Sequence, residues 1–465
     1  MDNNIKEDLK LFNELVLDFL EEEIKNPISE KISTKDLREK LNLKLETDPS
    51  DPQTYKEAIK KLLLSTPKSS SKLFFNQLFG GRHSKAILGE LLAVFLNNSM
   101  ATYKIAGPQI GVEKEIISQV CQIIGYKKTA GGTLPTGGSM SNFMSLIIAR
   151  DRLDHKIKKE GINQKLIVYT SENGHYSVLK NVSFSGIGKN NIRKIKSTLN
   201  GQICVTSFKN EIEKDIKKGF IPFYLNATAG TTVLYAFDPI KELSLICKRN
   251  NIWLHLDGAF GGTVIFSEKY KYLVKGIHLT DSFCFNAHKT LGTPLSTSIF
   301  VVQDKKLLYN SFSNEATYLY QTHCDKFNLG HTSFECGRRN NALKLWAMWK
   351  AIGTKGLSKI INHQFELANY TYTYVKEHKD YSLYSFKNSL SICFNYKRFD
   401  PVDLCTSLYQ KNSLMVGFGS FRNNKFIRLV IVNSENSKKD ILKFFKTLEE
   451  FCNQKNNKIK KLDQV

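Results

Sequence analysis

A histidine and a lysine close a short apolar run in Cys284-Phe-Asn-Ala-His-Lys-Thr-Leu291, which would hold the Lys289 amine at the end of a strand. Upstream, Asp257 occupies a similar setting in Trp253-Leu-His-Leu-Asp-Gly-Ala-Phe260. An amine and a buried carboxylate on neighbouring strand ends meet two needs of pyridoxal phosphate: a Schiff-base partner and a counter-ion for the ring nitrogen. A His-Lys pair by itself is ordinary surface chemistry, so the weight falls on what surrounds it. Gly131-Gly-Thr-Leu-Pro-Thr-Gly-Gly-Ser-Met-Ser-Asn142 runs into a helical pattern at 143–150. Glycines and hydroxyls at a helix start offer backbone N–H groups and a positive dipole end to a phosphate. The stretch is not a P-loop, because Gly138 stands where lysine should follow Gly137, and Gly186-Ile-Gly188 lacks the third glycine of a dinucleotide fingerprint. Ser171-Glu-Asn-Gly-His-Tyr-Ser177 sets His175 beyond another strand, and Asn226-Ala-Thr-Ala-Gly-Thr-Thr232 sets small hydroxyl residues beyond a third. Each alone could be turn chemistry. Several polar strand ends together mark the sheet edge where α/β folds bind ligands.

Continuous apolar runs at 165–170, 220–225, 252–256 and 298–302 alternate with helical patterns. This arrangement predicts an α/β layer with a mostly parallel sheet. Residues 1–85 read as an N-terminal arm with amphipathic segments at 7–24 and 54–64. Residues 86–354 read as the large ligand-binding domain and 355–465 as a smaller α+β domain.

Composition removes several alternatives. Hydrophobic residues make up 41% and charged residues 24%, ordinary for a globular protein. No apolar run approaches the ~18 residues of a membrane span, and the first residues lack the pattern of a secretory leader. The nine cysteines contain no Cys-x-x-Cys pair, which argues for reduced cytoplasmic thiols and against a disulfide framework or a metal site. The net charge of +23 comes mainly from dispersed lysines, since only 11 of the 67 basic residues are arginines. Without arginine and aromatic clusters it does not read as a nucleic-acid surface, though it would draw in small anions.

The ordered set of phosphate turn, His-Tyr-Ser, Ala-Thr-Ala-Gly-Thr-Thr, His-Leu-Asp-Gly-Ala and Asn-Ala-His-Lys resembles the group II pyridoxal-phosphate-dependent decarboxylases. The glutamate, cysteine-sulfinate and aspartate branch is indicated by Phe75-Asn-Gln-Leu78, Thr102-Tyr-Lys-Ile-Ala106, Ala236-Phe-Asp-Pro239, Glu335-Cys-Gly-Arg-Arg339 and Leu345-Trp-Ala-Met-Trp-Lys350. The likeness runs from Leu73 to Phe451. It implies a fold-type I architecture and a homodimer with interface active sites. By position, Lys289 would bind the cofactor aldehyde and Asp257 would keep the pyridine nitrogen protonated. His175 would stack on the ring, with Ala259 on its other face and Thr228 near the ring hydroxyl. Met140, Ser141, Asn286 and His288 would hold the phosphate, and Gln77 and Arg428 would meet substrate carboxylates.

Two positions depart from the family pattern. Ala287 replaces the usual proline before His-Lys. Asn328, in the short segment Asp325–His331 expected to be a mobile loop, replaces the tyrosine thought to return a proton to the substrate carbon. An amide is no general acid, so His331 or water becomes the candidate donor, and an oxidative deamination outcome stays open. The resemblance implies a small acidic L-amino acid as substrate. Phe79, two residues past Gln77, points to L-aspartate: related glutamate enzymes tend to carry a small polar residue there. A ring would shorten the pocket by about one methylene, worth ~1–3 kcal/mol of discrimination. Aspartate would give β-alanine, a precursor of pantothenate; glutamate and cysteine sulfinate are the alternatives.

Overall fold

In the computed structural model, residues 3–29, 31–313, 320 and 325–462 are described. The chain divides into two compact units, 78–369 with 385–391, and 1–77 with 370–384 and 392–465. The breaks differ from the expected boundaries at 85/86 and 354/355, and the N-terminal arm falls in the same unit as the C-terminal region.

The larger unit is built on a seven-stranded sheet. Its strands run in the order Gly131–Thr133, Ser298–Val302, Ser282–Asn286, Trp253–Gly258, Ile221–Thr228, Leu166–Ser171 and Ile192–Ile195. The last five are parallel; Ser298–Val302 runs antiparallel to both its neighbours. Every residue of Trp253–Gly258, Ser282–Asn286 and Ser298–Val302 is buried, which explains why they appear as unbroken apolar runs rather than alternating ones. Register brings the carboxyl ends level: Thr228 pairs with Asp257, and Asp257 with Cys284.

A fully buried ion pair sets the entrance to the phosphate turn. Arg338 Nη2 reaches Glu113 Oε1 at 2.6 Å and Thr133 Oγ1 at 3.0 Å, while Leu134 N–H donates to the same Glu113 oxygen at 3.3 Å. Removing one partner would leave an uncompensated buried charge, which typically costs about 3–5 kcal/mol.

The helix Ser84–Leu96 reverses the usual amphipathic arrangement. Its small residues Ala86, Gly89 and Ala93 face inward, whereas Leu88, Leu92 and Phe95, spaced i, i+4, i+7, are exposed at 51%, 49% and 62%.

The smaller unit carries a five-stranded sheet ordered Phe74–Phe75, Met415–Phe421, Asn424–Val430, Ser391–Tyr396 and Tyr381–Leu383. Its arm helices are Asn3–Lys25 and Pro52–Ser65, close to the two amphipathic segments. The second begins on Asp51, whose carboxylate caps the N–H groups of Gln53 and Thr54 at 3.0 Å each, with Pro52 in the first turn.

Candidate active site

At the carboxyl edge of the seven-stranded sheet lies a cavity of about 430 Å³. Lys289, Asp257, His175, Thr228, Ala259, Asn286, His288 and Met140 all line it, so local motifs spread over some 150 positions converge on one space. Lys289 follows the Ser282–Asn286 strand on a single helical turn, Ala287–Thr290.

The phosphate turn enters through Gly137, whose φ of 155° and ψ of 168° lie in a region open essentially only to glycine. The helix Gly138–Leu153 then starts at the cavity wall. A side chain on Gly138 would meet Ala259 Cβ at 2.9 Å and Asn286 Nδ2 at 3.2 Å, so this approach needs the bare backbone. Ser141 departs from the expected role. It is fully buried, its N–H and Oγ both bond Gly137 O at 3.0 and 3.2 Å, and it does not line the cavity. The helical ladder starts at this fourth residue, which leaves Gly138, Ser139 and Met140 in the first turn to face an anion.

Asp257 is held by two donors: Ala259 N–H to Oδ1 at 2.9 Å and Asn142 Nδ2 to Oδ2 at 2.7 Å. Burial lowers the proton affinity of His175 from its ordinary value; Asp257 opposes this and Lys289 adds to it. Burial, helped by Lys289, brings His288 down to about 4. His288 Nδ1 lies 2.9 Å from the Thr297 N–H and 3.1 Å from the Thr297 carbonyl oxygen, so the backbone of this one residue fixes the ring.

The wall suits the proposed cofactor. Thr228 Oγ1 and Asn286 Oδ1 are buried there without a hydrogen-bond partner among the described residues. A ring hydroxyl and a phosphate are groups that would satisfy such atoms, and the helix start complements the negative charge.

Phe79, Gln77 and Arg428 do not line this cavity. Phe79 is half-buried in a segment pressed on the lysine turn: a Cβ on Gly80 would lie 3.0 Å from both Lys289 O and Gly292 N, and His83 N–H donates to Gly292 O at 2.9 Å. In the smaller unit, Arg428 Nη2 donates to Asn76 O at 3.0 Å, beside the exposed Gln77, and burial lowers its guanidinium from the ordinary value.

The loop expectation changes. Asn328 is 3% exposed and its Oδ1 takes the N–H of Tyr103 at 3.1 Å; Leu329 joins Met100, Ala106 and Ile110 in a small core. His331 is buried, with Nδ1 2.9 Å from Ser313 Oγ and its ring stacked on Tyr320 at 3.6 Å. The segment is packed, and neither side chain lines the cavity.

A family model described as the pyridoxal-dependent decarboxylase conserved domain matches residues 35–397. The chain belongs to this family. It is an amino-acid decarboxylase with pyridoxal 5′-phosphate as cofactor and a fold-type I architecture. It is 31% identical to the acidic amino acid decarboxylase GADL1 of Xenopus tropicalis over 93% of this chain and 88% of the relative. It is 31% identical to human cysteine sulfinic acid decarboxylase, covering 86% of each. The crystal structure of mouse CSAD superposes with a TM-score of 0.88 at 27% identity, over 94% of this chain and 98% of that one.

Sequence reading passed over Asn142, Ser177 and His255. His255 lies two residues before Asp257, on the same face of its strand, and that alternation was the available signal. Burial also brings His255 down to about 4. Unfolded imidazoles take up protons near pH 6.5, folded His255 and His288 only near 4, so between these values the unfolded chain binds more protons. Asp238, whose carboxyl burial raises to about 6, and Asp281, also raised by burial, act in the opposite direction, while His175, lowered by burial, adds a third ring to the first two. The expected net result is a lower urea midpoint for the cofactor-free protein at pH 5 than at pH 7. An equal or higher midpoint at pH 5 would contradict the burial of these two rings.

Proposed function

We propose that this decarboxylase removes the α-carboxylate of a short acidic L-amino acid, with L-aspartate, giving β-alanine, as the leading substrate. The observation that carries the reading is the close approach of Gly80, the residue after Phe79, to the backbone of Lys289 and Gly292, which ties the segment carrying this aromatic residue to the turn that carries the amine. Names of the relatives support the acidic class: one is an acidic amino acid decarboxylase, another a cysteine sulfinic acid decarboxylase. Cysteine sulfinate is nearly isosteric with aspartate and is the second reading.

Bound pyridoxal phosphate supplies an electron sink for the pair left behind when CO₂ departs. Lys289 would hold the cofactor aldehyde, and Asp257 would keep the proton on the pyridine nitrogen. His175 and Ala259 would lie on either side of the ring, with Thr228 near its hydroxyl. Met140, Asn286 and His288 would hold the phosphate. Gln77 and Arg428 are the proposed carboxylate ligands; Arg offers a two-pronged donor set that orients a carboxylate. The apolar stripe Leu88, Leu92 and Phe95 supports a homodimer, since an exposed row of large side chains on an otherwise well-packed helix calls for a covering surface. A cytoplasmic setting agrees with cysteines that are all free among those described.

The test compares kcat/KM for L-aspartate, cysteine sulfinate and L-glutamate in wild type and Phe79→Ser. Wild type is expected to prefer the shorter acids by roughly 10- to 200-fold, the usual worth of one methylene, and the serine variant to narrow that gap. A wild type that prefers glutamate, or a ratio that Phe79→Ser leaves unchanged, would refute the pocket argument.

A further inference from the structure

Behind the cavity, a chain of buried hydrogen bonds joins two residues that face it from different elements. Asn142, in the helix Gly138–Leu153, donates from Nδ2 to Asp257 Oδ2 at 2.7 Å and to Ser177 Oγ at 3.1 Å. Its Oδ1 lies 2.9 Å from His255 Nε2. Only one orientation of this amide works, because turning it over would set Oδ1 against a carboxylate oxygen with no proton between them. His255 therefore carries its proton on Nε2, and its Nδ1 accepts from Ser282 Oγ at 2.8 Å. The hydroxyl of Ser282 also receives the indole N–H of Trp253 at 2.9 Å. The Ser177 backbone N–H donates to His175 Nδ1 at 3.2 Å, which makes this nitrogen an acceptor, so the Ser177 hydroxyl, 2.8 Å away, donates to it while accepting from Asn142. Two donors thus converge on Nδ1 and place the His175 proton on Nε2; of the two, the hydroxyl at 2.8 Å is the stronger, and only the longer backbone contact would remain without it. Asn142, Ser177, His255 and Ser282 are all at most 2% exposed, so water does not compete for these bonds.

We propose that Asn142 and Ser177 are positioning residues that lock Asp257 and His175 into one unit, Asn142 by fixing the carboxylate and Ser177 by fixing His175 as its Nε2–H tautomer. The inference rests on the assignment of Asp257 and His175 to the cofactor and adds how each is held. A core amide with a purely structural role would support the fold without setting the position of a proton on a ring beyond its own contacts. Here the hydroxyl that donates to His175 also accepts from an asparagine that holds Asp257 and does not touch the ring.

Two measurements test this. In cofactor-free protein labelled with ¹⁵N at its histidine rings, at a pH where imidazoles are neutral, NMR distinguishes the two tautomers, and His175→Gln assigns the signal. Wild type is expected to show His175 as Nε2–H alone, and Ser177→Ala to show a mixture of both forms. Separately, the Kd for pyridoxal phosphate is expected to rise about 10-fold in Asn142→Ala, the lower range for losing a supporting hydrogen-bond partner, and less in Ser177→Ala. Should Asn142→Ala fail to fold, Ser177→Ala, which deletes one hydroxyl, carries both readouts. An unchanged His175 tautomer in Ser177→Ala, or cofactor affinity within twofold of wild type in Asn142→Ala, overturns the proposal. If Asp257→Asn and His175→Gln also leave cofactor affinity unaltered, the assignment of these residues falls with it; the tautomer readout, taken without cofactor, tells the two failures apart.

Discussion

Lys289→Ala is expected to lower kcat by about 10⁴-fold, the upper range for one positioned acid–base group, and to abolish the visible absorbance band of the lysine-bound cofactor. The side chain lines the cavity at the end of a strand that also presents Asn286, and both of its tasks depend on that placement. In the proposed reading it would hold the cofactor's aldehyde, and its amine would be available to carry a proton. The turn it occupies is fixed from behind by the Gly80–Gly292 contact and by Gln364 Nε2 donating to Thr290 O at 2.7 Å, so truncation should leave the fold intact. Steady-state CO₂ release with matched melting curves checks this. Residual activity within tenfold of wild type would remove Lys289 from the reaction.

Asp257→Asn should cost kcat about 10²–10³-fold, comparable to removing one preorganised electrostatic partner from an active site. The substitution keeps size and removes charge. Asn142 and the Ala259 N–H both donate to this side chain, and an amide oxygen can accept from only one of them, so the comparison is made at saturating cofactor, where the effect should fall on kcat more than on KM. A loss confined to KM would mean that the carboxylate only helps bind substrate.

The residues most legible in the sequence were those in local motifs. Lys289, Asp257, His175 and Thr228 each sit at or just past the end of a buried strand, and apolar runs followed by polar turns mark such ends. Ser141, expected at the phosphate, instead bonds Gly137 O and is absent from the cavity lining, because motif order identifies a helix start but not which residue begins the hydrogen-bonded ladder. Asn328 looked like a loop residue because its partner, the N–H of Tyr103, is 225 positions away. The Asn142–Ser177–His175 chain was hidden because it joins two helices, Gly138–Leu153 and Ser177–Phe184, and its direction depends on which side-chain atoms meet between them. Short strands such as Gly131–Thr133 escaped because three residues carry too little periodicity.

The buried Arg338–Glu113 pair has a consequence for how the protein is made. Gly131–Thr133 is an edge strand whose sole neighbour in the sheet is Ser298–Val302, and Thr133 is further tied to Arg338. The bonds from Arg338 to Glu113 and Thr133 cannot form until translation has passed residue 338, roughly 10 to 40 s after Thr133 emerges at ordinary synthesis rates. Through that interval the apolar Leu166–Ser171, Ile221–Thr228 and Trp253–Gly258 strands have already been made, while Glu113 still lacks its counter-charge. Closing this ion pair is thus a late event in biogenesis.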